Sequence, residues 1–154
     1  MTIDVGAKAP DFRLKDQNNQ IVRLADFAGQ RPVLLVFYPL AFTGVCSGEL
    51  RELQDTFADY AEQGVAVLTV SVDSVYSHKV FAMQEGYEFP MLADFWPHGD
   101  VARRYGVLNA DAGFADRGTF LVDRDGIVKF AEHAGPGESR DQERWRKAVA
   151  ALAD

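Results

Sequence analysis

Cys46 is the only cysteine of the chain, and it stands where an apolar run gives way to the apolar spacing of a helix. A thiol at such a junction lies in or next to the first helical turn, where unpaired backbone N–H groups carry partial positive charge and favour a thiolate. Thr43 occupies the position where a Cys-x-x-Cys motif would have its first sulfur. One sulfur beside one hydroxyl favours peroxide chemistry over disulfide exchange.

The residues around Cys46 suit a reactive site. Pro39 has no N–H group and ends the preceding strand, so the chain leaves the sheet there. Gly44 allows close approach of the backbone, while Phe42 and Val45 can wall a pocket. The competing interpretation is that Cys46 is an inert, buried, small apolar residue, as most lone cysteines are.

The spacing Pro39-x-x-x-Thr43-x-x-Cys46 resembles the active-site motif of the peroxiredoxins. The resemblance spans essentially the whole chain. The stretches 42–46 and 94–98, together with the lack of a second cysteine, look most like the AhpE-type one-cysteine subgroup of actinobacteria. We therefore expect the fold and the chemistry of that family.

Arg117, just before a predicted late strand, is similar to the second essential element of the family. The resemblance implies that Cys46 attacks the peroxide and that Pro39 shields the sulfur from water. The Thr43 hydroxyl can hold one peroxide oxygen, and the Arg117 guanidinium offers N–H donors in a fixed fork. Backbone N–H groups of Val45 and Cys46 can complete the pocket. Taken singly, Thr43 could be a loop cap and Arg117 a surface charge.

Glu49 lies one helical turn beyond the cysteine, as in many members of the family. It can orient an arginine or form an ordinary salt bridge on the helix face. Together with Phe42 and Val45, it is predicted to contribute to the substrate-binding pocket. Arg140 lies near the position where the family often has a second arginine, but the local pattern departs from the usual one, so no role is assigned to it.

The sequence predicts neither a metal nor another cofactor. The three histidines, His78, His98 and His133, do not show the spacing of metal ligands. No glycine-rich turn after a strand is followed by Lys-Ser or Lys-Thr, so a phosphate-binding loop is not expected either.

A sulfenic acid on Cys46 has no partner thiol in the chain, so an external thiol must reduce it. The resemblance implies mycothiol, a mycoredoxin-like protein or a thioredoxin-like protein as the reductant. It also implies a homodimer formed edge to edge near the active site. The aromatic stretch 89–97 is rich enough in rings to be an interface, although core residues followed by a loop explain it equally well.

Composition sets further bounds. With 154 residues, 47% of them hydrophobic, the chain is expected to form a single domain over residues 1–154. A formal net charge of -7 argues against nucleic acid as a partner. No signal-peptide pattern opens the sequence, and the longest apolar run, 33–42, is about half of a membrane span. We therefore expect a cytoplasmic protein without a membrane partner.

Apolar periodicity predicts the elements that position these residues. The predicted elements are a hairpin over 11–28, a buried strand over 33–38, a helix from Ser47 to near Gly64, a second buried strand over 65–72, a helix capped by Ser74 that ends before Gly86, a short helix over 102–105, a hairpin over 118–131 and a terminal helix over 139–153. Val75, Val80, Phe81 and Met83 are predicted as the apolar residues of the Ser74-capped helix.

This order predicts an α/β fold with a mixed central sheet flanked by helices. The fold expected is thioredoxin-like with an N-terminal β-hairpin extension, and the strand ends near Cys46 are where open α/β sheets bind ligands. Two alternatives to a peroxidase stay open, a peroxide-sensing redox module and a monothiol disulfide oxidoreductase. Thr43 argues against the second, as does the lack of a proline before Gly118, where such oxidoreductases usually have a cis-proline.

Overall fold

The computed structural model describes residues 2–152, and within this range seven strands form one mixed sheet. The strands are β1 (Arg13–Lys15), β2 (Ile21–Arg23), β3 (Val33–Phe37), β4 (Ala66–Ser71), β5 (Met91–Ala93), β8 (Arg117–Val122) and β9 (Val128–Ala134), with a small separate pair of β6 (Leu108–Asn109) and β7 (Phe114–Ala115). The helices are α1 (Gly44–Glu62), α2 (Val75–Glu85), α3 (Asp100–Arg104) and α4 (Glu143–Leu152), and a 3-10 turn covers Leu24–Phe27.

The sheet has the order β2-β1-β5-β4-β3-β8-β9. Strands β3, β4 and β5 run parallel, and β8 pairs with β3 in the antiparallel sense. All five residues of β3 are buried, as their continuous apolar run predicts. Alternate residues pack into two different cores, with Leu35 on one face and Leu34 beside the helices α1 and α4 on the other. The predicted mixed sheet with helices on both faces is confirmed.

Several boundaries differ from the sequence prediction. Helix α1 begins at Gly44 rather than Ser47. Strand β5 was not predicted because its paired segment is only three residues long. Helix α4 begins at Glu143 rather than Ser139, because the Arg140 side chain is buried in the protein instead of starting the helix. Ala153, the predicted last residue of this helix, lies outside the described residues. Within residues 2–152, no helix is long and apolar enough to cross a bilayer.

The predicted apolar face of α2 is partly wrong. Ser74 caps the helix by accepting a hydrogen bond from the Ser77 N–H at 3.2 Å, and Phe81 is buried, both as expected. Val80 and Met83, however, are 49% and 72% exposed. His78 takes a buried position on the same helix, so a polar residue faces the core while two apolar residues face outward.

His78 is neutral in the folded protein at neutral pH. Its ring lies on the buried side of α2, with Nε2 2.7 Å from Ser71 Oγ and with Nδ1 lacking a hydrogen-bond partner within residues 2–152. Burial lowers the pKa of His78 to about 4, against an opposing effect of the Asp73 carboxylate. Unfolding therefore restores an imidazole that binds a proton more readily.

Because of this difference, we expect His78 to reduce the free energy of unfolding by about 1.5 kcal/mol as the pH drops from about 6.5 to about 5. In this interval the unfolded chain takes up a proton on the imidazole and the folded protein does not, so acid favours unfolding. Urea denaturation of the wild type and of His78→Gln at both pH values measures the effect. The variant should lose less stability on acidification, and an equal loss in the two proteins would contradict this prediction.

Candidate active site

Cys46 lies in the first turn of α1, three residues after Thr43, the N-cap residue of this helix. The turn follows the C-terminal end of β3, at the edge of the sheet where the sequence predicts a ligand site. The side chain is completely buried, and its sulfur is a free thiol. The first N–H groups of α1 have no carbonyl partner within the helix, so the sulfur lies beside their partial positive charge.

Arg117, the first residue of β8, brings its guanidinium to the sulfur. Because β8 runs antiparallel to β3, its beginning lies beside the end of β3, where the chain turns toward Cys46. Nη2 of Arg117 donates to Cys46 Sγ at 3.2 Å, and Nε donates to the Pro136 carbonyl at 2.9 Å. The Arg117 side chain is 2% exposed, so this contact is well shielded from water. The structure thus brings together two residues that are 71 positions apart in the sequence.

Glu49 fixes the orientation of Arg117. Its Oε1 accepts hydrogen bonds at 2.7 Å from Nη1 of Arg117 and at 2.7 Å from Nη2 of Arg140. Oε2 accepts from the backbone N–H of Arg140 at 2.8 Å and from its Nε at 3.0 Å. Of the two roles that the sequence left open for Glu49, the structure shows the one that orients an arginine. The Glu49 carboxylate is buried and contacts Arg117 and Arg140, so it does not line an open pocket.

Arg140 is the site residue to which the sequence analysis assigned no role. Its side chain is 1% exposed, and Nη1 donates to the carbonyls of Phe37 and Gly118 at 2.9 and 3.0 Å and to Thr119 Oγ1 at 3.1 Å. These bonds join the end of β3 to the beginning of β8. Glu49 falls on the buried side of α1, where a carboxylate requires positively charged partners to offset its loss of solvation. The position of Glu49 therefore indicated that a second arginine could lie beside it.

The two arginines also determine the charge of Glu49. Burial alone would raise the pKa of this carboxyl, but the hydrogen bonds and charge of Arg140, with a further contribution from Arg117, outweigh burial and lower it. Glu49 is therefore ionised at neutral pH. Two buried cations share one buried anion, which leaves a net positive charge next to Cys46.

The loop before α1 forms the outer wall of the site. Thr43 is exposed, and its hydroxyl donates to the Leu40 carbonyl at 2.9 Å. The lone pairs of Oγ1 therefore stay available to accept a hydrogen bond from a substrate. Pro39 is buried. Phe42 and Val45 are 52% and 39% exposed. Among the described residues, no group of three His, Cys, Asp or Glu side chains could hold a metal ion.

Known proteins have sequences similar to that of this chain. A model of the AhpC/TSA family matches residues 5–131. The chain is 54% identical over 150 residues to alkyl hydroperoxide reductase E of Mycobacterium tuberculosis and of Mycobacterium bovis, covering 97% of this chain and 98% of those proteins. It is 39% identical over 140 residues to the selenocysteine-containing peroxiredoxin PrxU of Peptoclostridium acidaminophilum, covering 84% of this chain and 68% of that protein.

Solved structures show the same fold. AhpC of Enterococcus faecalis superposes with a TM-score of 0.88 at 33% identity, covering 99% of this chain and 93% of that one. The reduced 2-Cys peroxiredoxin of Plasmodium vivax gives a TM-score of 0.87 at 29% identity, covering 97% and 81% of the two chains. The thioredoxin-like fold expected from the sequence is confirmed, and the chain belongs to the AhpC/TSA family of peroxiredoxins.

Proposed function

We propose that the protein is a thiol-dependent peroxidase that reduces hydrogen peroxide and organic hydroperoxides at Cys46. The observation that carries this proposal is the Arg117 guanidinium, 3.2 Å from a buried sulfur in the first turn of α1. A buried cation beside a thiol stabilises the thiolate and presents further N–H donors to a bound oxygen. Membership of a peroxiredoxin family supports the same chemistry.

In the proposed reaction, the Cys46 thiolate attacks one peroxide oxygen in line with the O–O bond. The S–O bond forms as the O–O bond breaks, so sulfur is oxidised to a sulfenic acid and the second oxygen leaves as water or an alcohol after taking up a proton. A more stable thiolate is also a weaker nucleophile, so ionisation alone does not make a fast peroxidase. Donors aimed at the two oxygens in the transition state must supply the remaining acceleration.

Four groups are proposed to act on the oxygens and the sulfur. Arg117 binds the sulfur and a peroxide oxygen together, and the Thr43 hydroxyl accepts from the peroxide O–H. The backbone N–H groups of Val45 and Cys46 complete the pocket. Pro39, which is buried in the segment between β3 and α1, shields the thiolate from water. Phe42 and Val45 form the apolar entrance through which an organic hydroperoxide reaches the sulfur.

Thr43→Val should slow the oxidation of Cys46 by hydrogen peroxide at least tenfold, since it removes one polar contact to the transition state while keeping the branched shape. The matched control is Thr56→Val, which removes a hydroxyl that bonds only to the α1 backbone. Stopped-flow oxidation rates of both variants measure the difference. Equal rates for Thr43→Val and the wild type would remove Thr43 from the proposed site.

The sulfenic acid is proposed to be reduced by an external thiol, because the chain has no second cysteine. The candidate reductants are mycothiol, a mycoredoxin-like protein and a thioredoxin-like protein. We also propose that the protein acts in the cytoplasm, where such thiols are kept reduced.

Mass spectrometry after treatment with one equivalent of peroxide and dimedone tests this route. We expect one dimedone adduct on Cys46, and steady peroxide consumption once a reductant system is added. Rapid adduct formation without turnover in any of the three thiol systems would instead favour a peroxide-sensing module.

We further propose a homodimer, with an interface on the outer face of α2 in place of the edge-to-edge contact that the resemblance implies. Tyr76, Val80 and Met83 are 83%, 49% and 72% exposed and are spaced as one helical stripe. Phe95 and Trp96, at 55% and 80% exposed, extend the exposed apolar surface. Large exposed apolar side chains grouped in this way are typical of a protein interface.

Sedimentation velocity tests the dimer. Val80→Glu is expected to shift the protein from dimer to monomer, because a charge buried without a partner in an interface is strongly unfavourable. The control is Ala58→Glu, which adds the same charge at an exposed position of α1, outside the proposed interface. A wild type that sediments as a monomer, or a Val80→Glu variant as dimeric as the wild type, would refute this interface.

A further inference from the structure

Ser71, Asp73 and His78 form a second polar cluster, which contains none of the residues of the proposed peroxide site. Ser71 ends β4, Asp73 lies in the following turn, and His78 belongs to α2. Ser71 Oγ lies 2.6 Å from Asp73 Oδ2 and 2.7 Å from His78 Nε2. Ser71 and His78 are buried, and the Asp73 side chain is 15% exposed. We call this set the Asp73 cluster.

The direction of its hydrogen bonds follows from the groups present. The Asp73 carboxylate can only accept, so the Ser71 hydroxyl donates to Oδ2. The Ser71 oxygen is then an acceptor for His78 Nε2–H. The neutral imidazole, with Nδ1 unpartnered among residues 2–152, fits this direction. The chain of donors therefore ends on one oxygen of Asp73.

That same oxygen reaches the loop before Cys46. Asp73 Oδ2 accepts the backbone N–H of Ala41 at 2.8 Å. Ala41 stands between Leu40, whose carbonyl accepts the Thr43 hydroxyl at 2.9 Å, and Phe42, whose φ is 67°. A non-glycine residue with positive φ is strained and persists only where its surroundings hold it. The bond to Asp73 and the packing of the Phe42 ring against Phe81, with centroids 4.7 Å apart, supply that support.

We infer that Asp73 is a positioning residue of the peroxide site, an inference that rests on the proposed function. Its Oδ2 holds the turn over residues 40–43 in the conformation that aims the Thr43 hydroxyl at the peroxide. Ser71 on the sheet and His78 on α2 keep the carboxylate in place. Asp73 touches neither the sulfur nor the substrate, so its effect on the reaction passes through the backbone of Ala41.

Two substitutions separate the hydrogen bond from the charge. Asp73→Ala removes the acceptor for Ala41, whereas Asp73→Asn keeps a carbonyl oxygen that can accept from both Ala41 and Ser71. The control is Ser74→Ala, which removes the N-cap of α2 and destabilises the same region without touching the loop. All four proteins are compared by thermal unfolding, peroxide oxidation rate and the pH profile of Cys46 alkylation by iodoacetamide.

We expect Asp73→Ala to slow oxidation by peroxide at least tenfold while its alkylation rate changes less than threefold, because alkylation needs the thiolate but not Thr43. Asp73→Asn and Ser74→Ala should stay within threefold of the wild type in both reactions. The inference is overturned if Asp73→Ala oxidises at the wild-type rate, if Asp73→Asn is as slow as Asp73→Ala, or if Ser74→Ala is equally slow. If Asp73→Ala does not fold, Ser71→Ala takes its place, because this variant removes the hydroxyl that holds the Asp73 carboxylate. Oxidation of Ser71→Ala by peroxide at the wild-type rate would then overturn the inference.

Amide hydrogen exchange provides a readout that does not depend on peroxidase activity. The Ala41 amide should exchange at least tenfold faster in Asp73→Ala than in Asp73→Asn, and unchanged exchange would overturn the inference. If peroxide oxidised the wild-type protein no faster than a free thiol, the proposed function would fail. The exchange rate of the Ala41 amide would still decide whether Asp73 holds the loop.

Discussion

Arg117→Ala is expected to slow the oxidation of Cys46 by hydrogen peroxide at least a hundredfold. A hundredfold loss corresponds to about 2.7 kcal/mol of transition-state stabilisation, which is typical for the removal of one well-placed donor. The loss should be large because Arg117 is buried and its Nη2 lies 3.2 Å from the sulfur. Arg117→Lys should also be slow, at least tenfold, since a single ammonium group cannot replace the fork that binds Glu49 and the sulfur together.

Stopped-flow mixing of the pre-reduced proteins with peroxide measures these rates. The control is Arg103→Ala, which removes an arginine that also pairs with a carboxylate but is 65% exposed. Its oxidation rate should equal that of the wild type. A folded Arg117→Ala protein that oxidises within fivefold of the wild type would show that the guanidinium does not act on the reaction.

Glu49→Gln is expected to lower the free energy of unfolding by about 3 kcal/mol or more, because it leaves the charges of Arg117 and Arg140 buried without their anion. Both guanidinium groups bond to Glu49 Oε1 at 2.7 Å, and neither is more than 2% exposed. The low pKa of Glu49 sets the pH range of this contribution. The stabilisation by ionised Glu49 is fully present above the pKa of an unfolded glutamate. It disappears as the pH falls through the lower pKa that Glu49 has in the folded protein.

Urea denaturation at neutral pH measures the loss. The matched control is Glu52→Gln on the same helix, where the side chain is 51% exposed and lies 3.9 Å from Arg146. That change should cost less than about 0.5 kcal/mol. A difference of less than about 1 kcal/mol between the two variants would mean that water or another anion compensates the two arginines.

Local patterns predicted most of the fold. The run of apolar residues at Val33 marks a strand buried on both faces, and the Asp125-Gly126 turn marks the last hairpin. Patterns were less informative where burial is not set by hydrophobicity. Val80 and Met83 look like core residues but face outward, because His78 is held inside by Ser71.

Thr43 and Cys46 were predictable as candidates, because they stand three residues apart in one motif. Arg140 was not, because its contacts with Glu49 join residues 91 positions apart and depend on how the loop before α4 folds back. The hydrogen bond from Ala41 to Asp73 spans 32 positions and leaves no local pattern. Contacts of this kind follow from the packed fold and not from the sequence around either partner.

The most direct test of the proposed peroxidase is the rate at which hydrogen peroxide oxidises the pre-reduced protein, followed by tryptophan fluorescence. Trp145 is a suitable reporter, because Arg140 lies 5.4 Å from the centre of its ring and contacts Glu49, which in turn bonds Arg117. We predict a fluorescence change whose rate is proportional to peroxide concentration, is far above that of a free thiol, and is absent in Cys46→Ser. Oxidation no faster than that of a free thiolate would contradict the proposed function and would leave Cys46 a sensing or structural residue.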